Sequence, residues 1–201
     1  MSGAIFYLFK ALLDVFTLGV ILNFLFRLLR VDYFNPIVRA IIRAVDYPSQ
    51  LIRYLIKPIY RIDFAALIVA ILIQSAAFYL VVVAGSLNYD PSIITIWSLY
   101  SVLILCLKVL FWVMLAGIII SWVANDHKHP AIRLILQMSD SIFKPFRFFL
   151  PPTGGLDFSP ILAFFALRAL DDLFTYLAQG SGLSTELVEG WAIPFWFIIG
   201  F

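Results

Sequence analysis

The sequence predicts an all-α membrane protein with four transmembrane helices. They form two tandem parallel repeats, each a span, an amphipathic interfacial helix and a second span. Three observations carry this. First, 63% of the 201 residues are hydrophobic, only 13% are charged, and the mean hydropathy is +1.01. A soluble domain carries ~25% charged residues, so too little polar material is present to cover a water-facing surface. Second, residues 4–26, 64–84, 97–122 and 158–178 are apolar stretches, and about 20 helical residues cross a hydrocarbon core. Third, shifting the chain by 94 residues aligns Pro36, Arg39, Ile41, Asp46, Arg53, Pro58, Asp63 and Phe64 with Pro130, Arg133, Ile135, Asp140, Arg147, Pro152, Asp157 and Phe158. Charged residues and prolines recurring in register are not explained by hydrophobic bias.

The first repeat covers residues 1–94. Its opening segment, MSGAIFYLFKALLDVF, has no basic region before the apolar run and no small-residue cleavage site before Arg27. It is read as a retained span rather than a removed signal. The amphipathic segment 36–57 follows, then the span 64–84, for which Asp63 is placed to cap the first turn. The second repeat, 95–201, places a span at 97–122, an amphipathic segment at 130–150 and a span at 158–178. The stretch WAIPFWFIIGF (191–201) is too short to cross and suits an interfacial anchor. Helix is the default for each span because backbone polar groups in lipid must be satisfied within their own segment.

Basic residues set the orientation. Arg27, Arg30, Arg39, Arg43, Arg53, Lys57 and Arg61 lie between the first two spans, and Lys128, Arg133, Lys144 and Arg147 between the last two. The connection 85–96 and the tail 179–190 contain no Lys or Arg. Both basic segments are therefore expected in the cytoplasm and both termini outside. Two spans per repeat return the chain to its starting side, so the repeats are parallel, about a pseudo-twofold axis along the membrane normal.

Within the basic segments the polar residues recur every three or four positions: Arg39, Arg43, Asp46, Gln50, Arg53 and Lys57, then Arg133, Gln137, Asp140, Lys144 and Arg147. Such spacing puts them on one edge of a helix. Arg39, Arg43, Arg53, Lys57, Arg133, Lys144 and Arg147 are expected to meet anionic headgroups, with Pro48 and Pro145 breaking or kinking their helices. The second segment ends in PPTGGLD. Pro151 and Pro152 stop the helix, Gly154 and Gly155 supply positive φ for a sharp corner, Asp157 caps the last span and Pro160 sits in its first turn.

The stretch DSIFKPFRFFLPPTGGLDFSP (140–160) resembles the signature of the YggT (YlmG-related) family of small bacterial and chloroplast membrane proteins. Ser141 stands where that signature usually has proline, Phe148 replaces its second arginine, and the first copy lacks the glycine pair. The resemblance implies a multi-pass protein of the bacterial cytoplasmic (inner) membrane. It points to ion or osmotic homeostasis or small-solute transport, since bacterial relatives are linked to osmotic and cation tolerance. Chloroplast relatives are linked to cytochrome assembly and nucleoid organisation. The alternative is a non-catalytic scaffold or assembly factor that recruits anionic lipid or a membrane or cytosolic protein through its basic helices.

Polar residues inside the apolar stretches form a second candidate site: Lys10, Asp14, Gln74, Lys108, Arg168 and Asp171. Ionisable groups at such depth mark function or pairing. Asp14 and Lys108 are equivalent under the 94-residue shift, as are Gln74 and Arg168. An Asp14–Lys108 pair across the pseudo-twofold axis is expected, with Lys10 as a competing partner one turn away. Asp171 and Asp172 point about 100° apart on a helix and do not converge, so a local ion pair with Arg168 is expected. No catalytic constellation, nucleotide-binding loop or metal-ligand spacing is present, NDHKHP (125–130) included. The reading is of no enzyme, no cofactor, no metal and no nucleic-acid partner. Cys106 lies in an apolar run and packs.

Overall fold

The structure is a computed structural model that describes residues 2–84, 90–123, 129–150 and 157–182. It has six helices among those residues: α1 (Ser2–Leu28), α2 (Pro36–Arg53), α3 (Phe64–Ala84), α4 (Pro91–Val123), α5 (Pro130–Phe149) and α6 (Ser159–Gly180). Two of them, over Leu8–Leu28 and Pro91–Val123, are long and apolar enough to cross a membrane. An apolar segment also fills Phe64–Leu80 of α3, whereas α6 carries Arg168, Asp171 and Asp172. Residues 151–156 and 191–201 lie outside the described residues, and with them the expected roles of Pro151, Pro152, Gly154 and Gly155 and the C-terminal anchor.

Local chemistry sets the helix ends. Asp90 Oδ1 accepts from the Ser92 amide at 2.8 Å, so α4 starts at Pro91, earlier than the hydropathy alone indicates. α1 ends with Val31 N–H bonded back to Phe26 O at 3.0 Å and Arg30 at φ +55°, a Schellman arrangement. Asn35 and His129 are the caps of α2 and α5, each accepting from the amide two residues on, with Pro36 and Pro130 opening the helices. His129 thus does structural work through Nδ1. Pro48 and Pro145 lie inside continuous helices and end neither. Each removes one helical hydrogen bond, and the tertiary packing of α2 and α5 offsets that loss.

α1 lies along α3, and α4 touches α3, α5 and α6. The larger core joins Val20, Ile21, Phe24 and Leu25 of α1 to Val38 and Val45 of α2, Ala66, Val69 and Ala70 of α3, and Leu134 and Met138 of α5. A second cluster joins Phe78, Ile94, Trp97 and Ala178, and a third joins Met114, Ile142, Phe143, Ala163 and Leu167. The halves also meet through polar bonds. Asn35 Nδ2 donates to Pro130 O at 2.8 Å, Gln137 Oε1 accepts from the Asp32 amide at 3.0 Å, and Ser141 Oγ donates to Leu29 O at 2.9 Å. Of the stripe residues, Asp46, Gln50 and Arg53 in the first half and Gln137, Asp140 and Arg147 in the second bond to protein rather than facing headgroups alone.

Candidate ion-pair site

Asp46 and Arg53 are seven residues apart on α2, two turns along one face, and Asp63 immediately precedes α3. A guanidinium at the C-terminal end of one helix and a carboxylate at the N-terminus of the next both suit the helix dipoles. The Arg53 fork takes both Asp46 oxygens, at 2.9 and 2.6 Å, and its Nε reaches Asp63 Oδ2 at 2.8 Å. Asp63 also accepts from the Ala66 amide at 3.3 Å, capping α3 as the sequence suggests.

Two residues of α1 close the cluster. Asn23 Nδ2 donates to Asp46 Oδ1 at 2.6 Å, and Arg27 stands 3.7 Å from Asp46 and 3.4 Å from Asp63. Gln50 adds a bond to Asp46 at 3.0 Å. The side chains of Asp46 and Asp63 are 8% and 1% exposed. Burial alone would raise the Asp46 pKa, but bonds from Arg53, Gln50 and Asn23 outweigh it and hold the carboxyl at about 2. Burial likewise opposes the Arg53 charge, and the bonds to Asp46 and Asp63 override it and raise its pKa.

The second repeat builds the same triad and leaves it open. Arg147 bonds Asp140 through Nη1 and Asp157 through Nε, the latter at 2.8 Å. Asp140 and Asp157 are 63% and 30% exposed. The bonds to Asp140 and then Asp157 raise the Arg147 pKa. Slight burial raises Asp157, but bonds from Ser159 and Arg147 prevail and lower it. Its cap differs because Pro160, the counterpart of Ala66, has no N–H. Asp157 accepts instead from the Ser159 amide at 2.9 Å.

Gly117 and Ser121 stand at the register positions of Asn23 and Arg27. The glycine contacts differ as well. A Cβ on Gly19 would lie 2.7 Å from Val45, whereas the equivalent of Val45, Ser139, packs on Gly117, where a Cβ would run into the Ser139 Cβ and Oγ. Gly117 is one turn beyond the counterpart of Gly19, which is Val113. A cleft of about 870 Å³ opens at this corner between α4, α5 and α6, with Gly117 and Ser121 on its wall.

The other polar residues are placed differently. Asp14 pairs with Lys10 on its own helix at 2.7 Å, rather than with Lys108 across the halves as expected, because a partner one turn away needs no helix movement. Lys108, Arg168 and Asp171 line a separate cavity of about 90 Å³. Arg168 pairs with Asp172 at 3.1 Å and stands 3.8 Å from Asp171. Gln74 is fully buried on α3 with neither amide atom bonded among the described residues. Arg39, Arg43, Lys57, Arg133 and Lys144 are exposed. Cys106 is buried, and no group of metal-ligating residues occurs among the described residues.

Comparison with known proteins gives one consistent result. The chain matches the CCB3/YggT family over residues 2–84 and again over 96–178. It is 35% identical over 190 residues to the protein PA0392 of Pseudomonas aeruginosa, covering 93% of this chain and 96% of that one. It is 26% identical over 176 residues to YggT of Escherichia coli K12, covering 88% and 92%. A Vibrio alginolyticus protein from the proC 3' region is 27% identical over 165 residues, covering 81% and 88%. No solved structure matches the chain.

Proposed function

This chain belongs to the CCB3/YggT family, and from its two ion-paired corners we propose a membrane scaffold with two parallel repeats and four spans. In this reading both basic helices lie on the cytoplasmic face of a bacterial inner membrane and both termini lie outside. Each Asp–Arg–Asp triad ties an interfacial helix to the span that follows it. The remaining basic residues are left free to hold anionic headgroups and, through them or directly, a protein partner. The observation that carries the reading is the division of labour along each stripe. Arg53 and Arg147 are turned onto carboxylates, while Arg39, Arg43, Arg133 and Lys144 are exposed. Tyr47, Leu51, Tyr54 and Leu55 lie exposed on or just after α2, as on a helix that rests in a membrane surface.

The test is the anionic lipid that stays with the purified full-length protein, counted by native mass spectrometry. Changing Arg39, Arg43, Arg133 and Lys144 together to Gln should lower that count and leave the melting temperature nearly unchanged. Equal retention would remove the reading. Topology is tested separately in a Cys106→Ala background. Single cysteines at Arg43 and Arg133 should resist an impermeant thiol reagent outside intact cells, and one at Asp90 should react.

Ion or solute homeostasis is the second reading, and buried Gln74, with neither amide atom bonded among the described residues, favours it. Flux into proteoliposomes that is lost in Gln74→Leu with the fold intact would move the conclusion to transport.

A further inference from the structure

The first corner is neutral: two carboxylates, Asp46 and Asp63, face two guanidinium groups, Arg53 and Arg27. Among the described residues the second corner has Asp140 and Asp157 against Arg147 alone, which leaves one negative charge over. Lys144, one turn after Asp140, is exposed, makes no ion pair among the described residues and does not line the cleft. The space that Arg27 closes in one repeat is the open cleft of the other, with Ser121 on its wall. Its remaining walls include Trp122, Phe143, Phe158, Ile161 and Phe164. Trp122, Phe158 and Ile161 are exposed. The first repeat is thus an internal template of the filled state: two aspartates, one fixed arginine and a second organic cation.

We propose that the cleft of the second repeat binds the primary ammonium headgroup of an aminophospholipid, which supplies the charge that Arg27 supplies in the first. Asp140 and Asp157 accept its N–H groups beside Arg147, and the aromatic and aliphatic walls take the start of its apolar body. Charge complementarity favours a cation over a phosphate-only ligand, and the apolar walls favour one carried on a lipid over a free amine. This rests on the reading that the corner lies at the membrane interface. Its readout, selectivity among headgroups at one cleft, is separate from the retention of anionic lipid by exposed basic residues.

The experiment is thermal unfolding of the full-length protein in detergent, followed by tryptophan fluorescence, with added phosphatidylethanolamine, phosphatidylcholine, phosphatidylglycerol or free ethanolamine. Phosphatidylethanolamine should raise the midpoint saturably, by several degrees. Phosphatidylcholine has the same body but no N–H, phosphatidylglycerol has no amine, and ethanolamine has no body, so each should give little shift. Ser121→Arg, which fills the cleft from α4, should abolish the response. Asp140→Asn, at an exposed position, should weaken it at least tenfold and serves where the arginine variant does not fold. An equal response to all three lipids, a response to ethanolamine as strong as to the lipid, or an unaltered response in both variants would overturn the proposal.

Discussion

Asp46 and Asp140 are equivalent residues that face equivalent arginines, yet one is buried and the other lies open to solvent. The same contrast separates Asp63 from Asp157. The difference lies in the neighbours rather than in the triad itself. Asn23 and Arg27 seal the first corner, while Gly117 and Ser121, at the same register positions, leave the second unsealed. A buried pair costs much to break because a lone charge is left in low dielectric, whereas an exposed pair contributes little. One motif thus makes a clamp in the first repeat and an accessible acidic corner in the second.

The largest expected effect sharpens that contrast. Arg53→Met strands two buried carboxylates and should destabilise by about 3–5 kcal/mol, or prevent accumulation. Arg147→Met should cost under about 1 kcal/mol. Detergent melts of the two variants compare them directly. Asn23→Ala removes a bond to a charged, buried acceptor and should cost about 1.5–3 kcal/mol in the same assay.

The glycines come next. Gly117→Ala drives a Cβ into the Ser139 Cβ, which cannot rotate away, and should cost about 1–3 kcal/mol. Ser139→Gly should restore that loss. Gly19→Ala meets mainly one movable methyl of Val45 and should cost less.

Acid should separate the corners too. The folded Asp46 pKa lies below its unfolded value of about 3.9, so its contribution is complete above about pH 4 and is lost as pH falls toward about 2. Asp46→Asn should flatten the fall in stability across that window. Asp157 is also lowered and acts in the same direction, so Asp157→Asn should flatten it less at its more open corner.

The smallest effect concerns the turns. Tyr60 holds φ +53° between Ile59 and Ile62, which bond each other at 3.1 and 3.0 Å, and its counterpart in the second repeat is Gly154. Tyr60→Gly should gain about 1 kcal/mol or less, the relief of a left-handed side chain offset by glycine's entropy. A loss would show that the exposed ring makes contacts that matter.

Much of this was legible in the sequence because it is local or periodic. The helix order, the capping Asp63, Pro160 in the first turn of α6 and the amphipathic character of α2 and α5 follow from spacing alone. The triads were half legible. Asp46, Arg53 and Asp63 recur with unchanged spacing in Asp140, Arg147 and Asp157, but a stripe pattern assigns them to headgroups and caps rather than to each other. Joining them takes the fold-back of α2 onto α3, which is tertiary. The sealing by Asn23 and Arg27 was not legible, since their counterparts Gly117 and Ser121 differ and only the packed helices bring α1 to the corner. The Asp14–Lys108 expectation failed for the converse reason. Register equivalence gives depth, not rotation, and Lys10 was already one turn away.

Carboxylate labelling with a water-soluble carbodiimide and an amine nucleophile, read residue by residue by mass spectrometry on the folded protein, compares the corners most directly. A closed first corner and an open second one require Asp140 and Asp157 to be modified while Asp46 and Asp63 stay protected until the protein unfolds. Modification of Asp46 and Asp63 at the rate of their counterparts would contradict it.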